Sequence, residues 1–166
     1  KICNFCLRSG ILGSRCEKLV KSGELSELDL RVARILAELE SRYPALQAIY
    51  YHKALELGDA LVILVGRGDA ERLASYDGRL LKEIAERSGK RKVKILPYTD
   101  EPRKFLEGLF APASVLAINK VWLPDGSTET KVVIPRRDMR RIPFKVEFLK
   151  KLAMDILGTN IRIEFE

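Results

Sequence analysis

Three sets of residues have the types and spacing to do chemistry. Cys3 and Cys6 form a Cys-x-x-Cys knuckle, and Cys16 follows further along. Thiolates so arranged are zinc ligands, and a structural zinc takes four. The position that would complete a second knuckle with Cys16 is Gly13, which offers no ligand. Two readings follow: a three-thiolate site that holds zinc weakly or with an external ligand, or a knuckle that folds without metal. The cofactor expectation is therefore none, or zinc. A redox role lacks the βαβ surroundings of a thioredoxin-type motif. The second set is one residue, His52, the chain's only histidine. Any His-based metal site or nucleophile–base pair would have to use it. It lies in the β-like run Ala48–Ala54 and reads as a half-exposed strand residue. P-loop, GxSxG and HExxH patterns are absent, so no catalytic constellation emerges and a non-enzymatic protein is expected. The third set is Arg136-Arg137-Asp138-Met139-Arg140-Arg141, where four arginines share six positions with a single acid. Such density suits contact with phosphates.

The charge of the whole chain points the same way. Its 166 residues carry 30 Lys plus Arg against 23 Asp plus Glu, a net charge of +7. Two segments hold most of the excess. Residues 67–99 and 131–166 each have nine basic and five acidic residues, whereas the stretches that precede them are near neutral or acidic. Aliphatic content is too high for a disordered chain. The longest apolar run, Ala60–Val65, is far shorter than the roughly 18 residues of a membrane span, so no membrane association is expected. The odd cysteine count and the lack of an apolar leader suggest a reducing, cytoplasmic setting. Three asparagines and one glutamine beside abundant Lys, Arg and Glu lean towards a thermophile.

These charges need elements to position them. Residues 1–25 show little periodicity. A helix is predicted from Ser26, its N-cap, with Asp29 placed for a capping box and Val32, Ile35, Leu36 and Leu39 on one face. Strands are expected at 47–55 and 60–66, a short helix at 69–75, a helix carrying Leu80, Leu81 and Ile84 that ends at Gly89, and a strand from Lys92 to Leu96. The same order then recurs: a helix ending before Pro112, strands 114–122 and 128–134 around Pro124–Ser127, a short basic helix at 136–141, a helix carrying Val146, Leu149 and Leu152 that ends at Gly158, and a last strand. At an offset of 69 residues Val65 falls on Ile134, Arg67 on Arg136, Asp69 on Asp138, Arg72 on Arg141, Leu80 on Leu149 and Gly89 on Gly158. Six ordered matches without a gap favour a duplicated unit, and the two basic segments are its matching parts.

An α-β-β-α-α-β unit with a basic helix-loop-helix resembles a type II KH domain, and two in tandem resemble the RNA-binding part of the NusA family of transcription factors. The stretch Leu109 to Ile118 looks like the link into the second KH domain of that family. Val132-Val133-Ile134-Pro135 through Gly158 keeps its strand-Pro-helix-loop-helix-Gly spacing. The opening Cys-x-x-Cys, followed by Gly10-Ile11-Leu12 and by Ser26-Glu27-Leu28-Asp29, is similar to archaeal NusA-like proteins that add a small zinc motif.

The resemblance implies an α/β fold of the α+β type: two tandem type II KH-like units, 26–99 and 100–166, behind a Cys-bearing segment, 1–25. It implies a non-enzymatic, cytoplasmic RNA-binding protein of transcription elongation or termination, with RNA and RNA polymerase as partners. A component of the ribosome that binds folded RNA is the alternative. In a KH domain a Gly-x-x-Gly loop lets the backbone approach phosphates. Here the loops fall at Ser75-Tyr76-Asp77-Gly78 and at Phe144-Lys145-Val146-Glu147. A Cβ limits that approach, and Asp77 and Glu147 would repel an anion. The implied RNA-binding residues are Arg67, Arg72, Ser75, Tyr76, Gly78, Arg79 and Lys82 in the first unit. In the second they are Arg136, Arg137, Arg140, Arg141 and Lys145.

Overall fold

A computed structural model describes residues 13–166. The chain is mixed α/β and divides into two compact units, the first ending at Tyr98 and the second beginning at Thr99. Cys3 and Cys6 lie outside the described residues.

The first unit opens on a helix that periodicity over 1–25 did not suggest, α1, Ser14–Lys21. It is short, but Cys16, Leu19 and Val20 fall at i, i+3, i+4 on one face, and Cys16 is buried. Helix α2, Glu27–Leu39, starts at the capping box expected from sequence: Ser26 Oγ accepts the Asp29 N–H, and Asp29 accepts the Ser26 N–H. A 3₁₀ turn follows at Pro44–Ala48, then strands β1, Tyr51–Leu57, and β2, Ala60–Val65. Helices α3, Asp69–Ala74, and α4, Arg79–Ser88, lead to β3, Lys92–Pro97. Gly89 ends α4 in the left-handed conformation, as its position suggested. In the sheet β2 is central, antiparallel to β1 and parallel to β3. Every residue of β2 is buried, as a central strand covered on both faces requires. Val32, Leu36, Leu39, Leu61, Ile63, Val65, Leu80 and Ile84 form the helix-side core.

The second unit repeats the order. Helix α5, Pro102–Phe110, precedes β4, Ala117–Trp122, and β5, Thr128–Ile134. A 3₁₀ turn at Arg136–Arg141, helix α6, Val146–Leu157, and β6, Asn160–Phe165, complete it. Again the middle strand, β5, is antiparallel to the strand before it and parallel to the last. Gly158 matches Gly89 as a left-handed C-cap.

Two strand starts and one helix type differ from the sequence reading. Strand β1 begins at Tyr51 rather than 47, and β4 at Ala117 rather than 114. Ahead of each strand a backbone N–H is taken by a buried carboxylate, one residue before β1 and three residues before β4, where the Leu116 N–H next to the strand already pairs with the Val133 carbonyl. Tyr50 donates to Asp69 and Ser114 donates to Asp138. The third difference is that the basic helix at 136–141 is a 3₁₀ turn, not a counterpart of α3 in full. Pro143 has no N–H to continue a helix and holds Ile142 extended, with ψ 122°. Among the described residues no helix is long and apolar enough to cross a membrane.

Candidate functional site

Each basic segment is built around a buried acid. Asp69 opens α3 and Asp138 lies inside the 3₁₀ turn, and both are almost fully buried. Asp69 Oδ2 accepts the Tyr50 N–H at 2.9 Å, and Asp138 Oδ2 accepts the Ser114 N–H at 2.9 Å. Each also pairs with the arginine three residues on: Arg72 with Asp69, and Arg141 with Asp138 at 3.5 Å. The Ser114 N–H holds the Asp138 carboxyl below its ordinary value against the cost of burial, with Arg141 and Arg137 adding to the effect. The repeat suggested by sequence is therefore also a repeat of interactions. Arg72 and Arg141 keep exposed side chains but are tethered by one edge. Arg136, Arg137 and Arg140 are exposed, with no ion pair to a carboxylate among the described residues. The Arg136 backbone N–H donates to the Glu166 carbonyl, fixing the start of the turn against the end of β6.

The loop of the first unit keeps the backbone of a tight, glycine-like turn despite its sequence. Asp77 and Gly78 both have positive φ, 53° and 78°. Ser75 is folded back on α3, its Oγ donating to the Arg72 carbonyl at 2.6 Å. Tyr76, expected at the RNA surface, is instead an anchor. Its hydroxyl accepts the Ala45 N–H at 3.1 Å, and its ring meets Tyr43 edge-on at 4.9 Å. Arg79 and Lys82 lie exposed on the first turn of α4.

The second loop is shifted from its expected place. The connection is Ile142–Lys145, because α6 begins at Val146 and takes in Glu147. Phe144 is buried and packs edge-on against Phe148 at 5.2 Å. It is a core residue. Lys145, the N-cap position of α6, stays exposed.

A residue not singled out from sequence joins the first unit's site. A groove of about 220 Å³ runs between α3, α4 and β3, lined by Ala70, Leu73, Gly78, Leu81, Lys94 and Ile95 among others. Its walls are apolar, and burial brings the Lys94 ammonium down to about 8. The signal available in sequence was weak: small Ala70 and Ala74 at i, i+4 on α3, and a lysine alternating with apolar residues on an edge strand. A second groove, of about 230 Å³, lies by α2 and is lined by Leu28, Arg31, Val32, Arg87 and Lys90 among others. Its cations are largely committed to carboxylates: Arg31 and Lys90 to Glu56, and Arg87 to Glu38. The Lys90 hydrogen bond, ahead of its charge and that of Arg31, keeps Glu56 below the usual carboxylate range.

Cys16 lies on α1, and the Gly13 carbonyl accepts the Glu17 N–H at the start of that helix. Among the described residues no group of three His, Cys, Asp or Glu is arranged to hold a metal. Cys3 and Cys6 are outside that range. His52 lies on β1, half-buried, with its ring between those of Tyr50 and Tyr98.

No family model and no curated protein matches the sequence. A solved structure described as the crystal structure of APE1850 superposes with a TM-score of 0.58 over 80% of this chain and 96% of that one, at 18% identity. At that identity the likeness is one of fold.

Proposed function

We propose that the chain is a non-enzymatic RNA-binding protein of two KH-like units that engages phosphates mainly through side chains. The observation that carries this reading is the repeated basic segment. Two stretches of equal charge, 67–99 and 131–166, are each positioned by an equivalent buried aspartate. Cations set on a fixed backbone lose little freedom on meeting an anion, and each phosphate neutralised releases counterions. In the first unit the apolar groove beside Lys94 adds a surface on which a base could rest. A role like that of archaeal NusA-like transcription factors, with RNA polymerase as partner in the cytoplasm, is the reading favoured by sequence.

A ribosomal role is the second reading, and one observation favours it. The second unit's connection, Ile142–Lys145, holds a proline and a buried phenylalanine, and no residue from 136 to 147 has positive φ. Such a loop suits binding by shape and phosphates in folded RNA better than clamping a single strand.

The deciding experiment titrates parent and the Ser75→Gly/Asp77→Lys double variant with a short unpaired strand and with a structured RNA, at matched salt. The expected result is tighter parent binding to the structured RNA and a gain for the short strand in the variant. A protein that binds neither RNA would overturn the proposal. Sedimentation of the native protein with ribosomes or with RNA polymerase separates the two readings.

A further inference from the structure

We infer that Tyr98, stacked on a His52 ring that Tyr50 also meets, is a platform for an unpaired base of a single-stranded nucleic acid, separate from the groove between α3, α4 and β3. The inference rests on the RNA-binding reading above and adds to it a stacking contact that the basic segments do not supply.

The platform is assembled by the ends of three chain segments. Tyr98 leaves β3 with its N–H donated to the Val65 carbonyl at 2.8 Å, and the Gly66 N–H donates to the Tyr50 carbonyl at 2.8 Å. Residues from both outer strands thus meet where the central strand ends. That end is a glycine: a side chain at Gly66 would lie 3.2 Å from Tyr50 Cβ and collide with the Asp69 carboxylate. The absent Cβ lets Tyr50 close over the strand end. The His52 and Tyr98 rings are nearly parallel, 14° apart with centroids at 4.4 Å, and Tyr50 leans on His52 at 4.6 Å.

Stacked aromatic rings usually serve a core, yet Tyr50 is 54% exposed and Tyr98 41%. An outward ring supported from behind has lost its rotational freedom before any ligand arrives, which lowers the cost of stacking a base on it. Arg67, the first cation of the basic segment, is next in sequence to Gly66. A strand whose phosphates follow that segment therefore comes within reach of the rings.

The other aromatic sites fit this role less well. Tyr76 spends its hydroxyl and ring edge on the core. Trp122 on β4 is exposed but already has the Lys120 ammonium over its ring at 5.1 Å. Every base has a π-face, so the platform accepts any unpaired base, and it excludes a base held in a duplex.

The test uses the full chain, a uridine strand of about ten nucleotides and an abasic strand of the same length. Affinities are measured for the parent and for Tyr98→Ala, Tyr98→Phe and Tyr98→Leu. The parent is expected to prefer the uridine strand. Tyr98→Ala should weaken that binding about tenfold, towards the low end of what a base–aromatic stack contributes. It should leave abasic binding and the salt dependence unchanged, because no phosphate contact is lost. Tyr98→Phe should bind like the parent, and Tyr98→Leu should lose the preference although it fills the same space. If Tyr98→Ala melts early, the Leu variant decides. A Leu variant with parental affinity, or equal losses on both strands, would overturn the platform and leave the RNA-binding reading standing. A parent that binds no RNA would overturn both, and binding of a protein ligand alone at these rings would count against a nucleobase.

Discussion

Asp138 accepts the Ser114 backbone N–H at 2.9 Å, joining the basic turn of the second unit to the approach of its first strand. The folded carboxyl has a lowered pKa, so it binds fewer protons than the same group in the unfolded chain. Its contribution to stability is complete above the ordinary value of 3.8 and is lost as pH falls through the folded value. Replacing Asp138 by Asn should keep the Ser114 contact through the amide oxygen and flatten the loss of stability below that pH. Replacing it by Ala should destabilise the protein at neutral pH as well. Urea unfolding at neutral and acid pH checks both.

Asp29 is a separate tie in the first unit, between helix α2 and strand β1. Beyond the capping box, its Oδ1 accepts the Tyr51 hydroxyl at 2.6 Å and the Ala54 N–H at 2.8 Å. Asp29→Ala would leave those buried donors without partners at a cost of about 3 kcal/mol. Tyr51→Phe removes only one of them and should cost about 1 kcal/mol. Equal losses in the two variants would show that the carboxylate has no role beyond Tyr51.

Lys94 sets a pH dependence of the opposite sense. Burial lowers its pKa from 10.5 to about 8, so between those values the unfolded chain holds more protons than the folded one. Stability should therefore rise with pH from about 8 towards 10. Above that, Tyr51, pushed well up by burial and then by Asp29, acts the other way because its phenol resists ionisation in the fold. Lys94→Met should remove the rise. Melting temperatures across this range for parent and variant make the comparison.

Asp77 adopts φ 53°, a conformation that costs an L-residue about 1 kcal/mol and glycine almost nothing. Asp77→Gly should raise stability by up to that amount. It also removes a negative charge from the turn, so affinity for a short single strand should increase. A loss of stability would mean that the aspartate side chain holds the turn by a contact worth more than the backbone strain.

How much of this was legible in sequence depends on whether the signal is local. The capping box at Ser26 and Asp29, the C-cap glycines 89 and 158, and the turn at 124–127 are local, and each lies where its residues place it. The duplication was legible because the Asp69/Asp138 and Arg72/Arg141 matches are themselves the interactions that each unit repeats. What was not legible depends on contacts distant in the chain. The N–H groups of Tyr50 and Ser114, ahead of β1 and β4, are taken by carboxylates 19 and 24 residues downstream. Tyr76 reads as an exposed loop residue until Ala45 and Tyr43 are placed beside it. The offset that aligned the helices also misplaced the second loop, because Phe144 goes into the core. Lys94 is buried only when helices α3 and α4 pack on β3, and the Tyr50–His52–Tyr98 stack forms only when the strands pair.

The most direct test of the central claim is the salt dependence of RNA binding in the parent and in the Arg136→Ala/Arg137→Ala/Arg140→Ala variant. These three arginines are the exposed cations of the second basic turn that Asp138 does not pair with. If about three phosphates are met there, the parent's affinity for a single strand should fall with a log–log slope steeper than about −2. The variant should bind more weakly across sequences at low salt, with a slope shallower by about 2. A variant that matches the parent in both affinity and slope would contradict the assignment of this turn as a phosphate-binding surface.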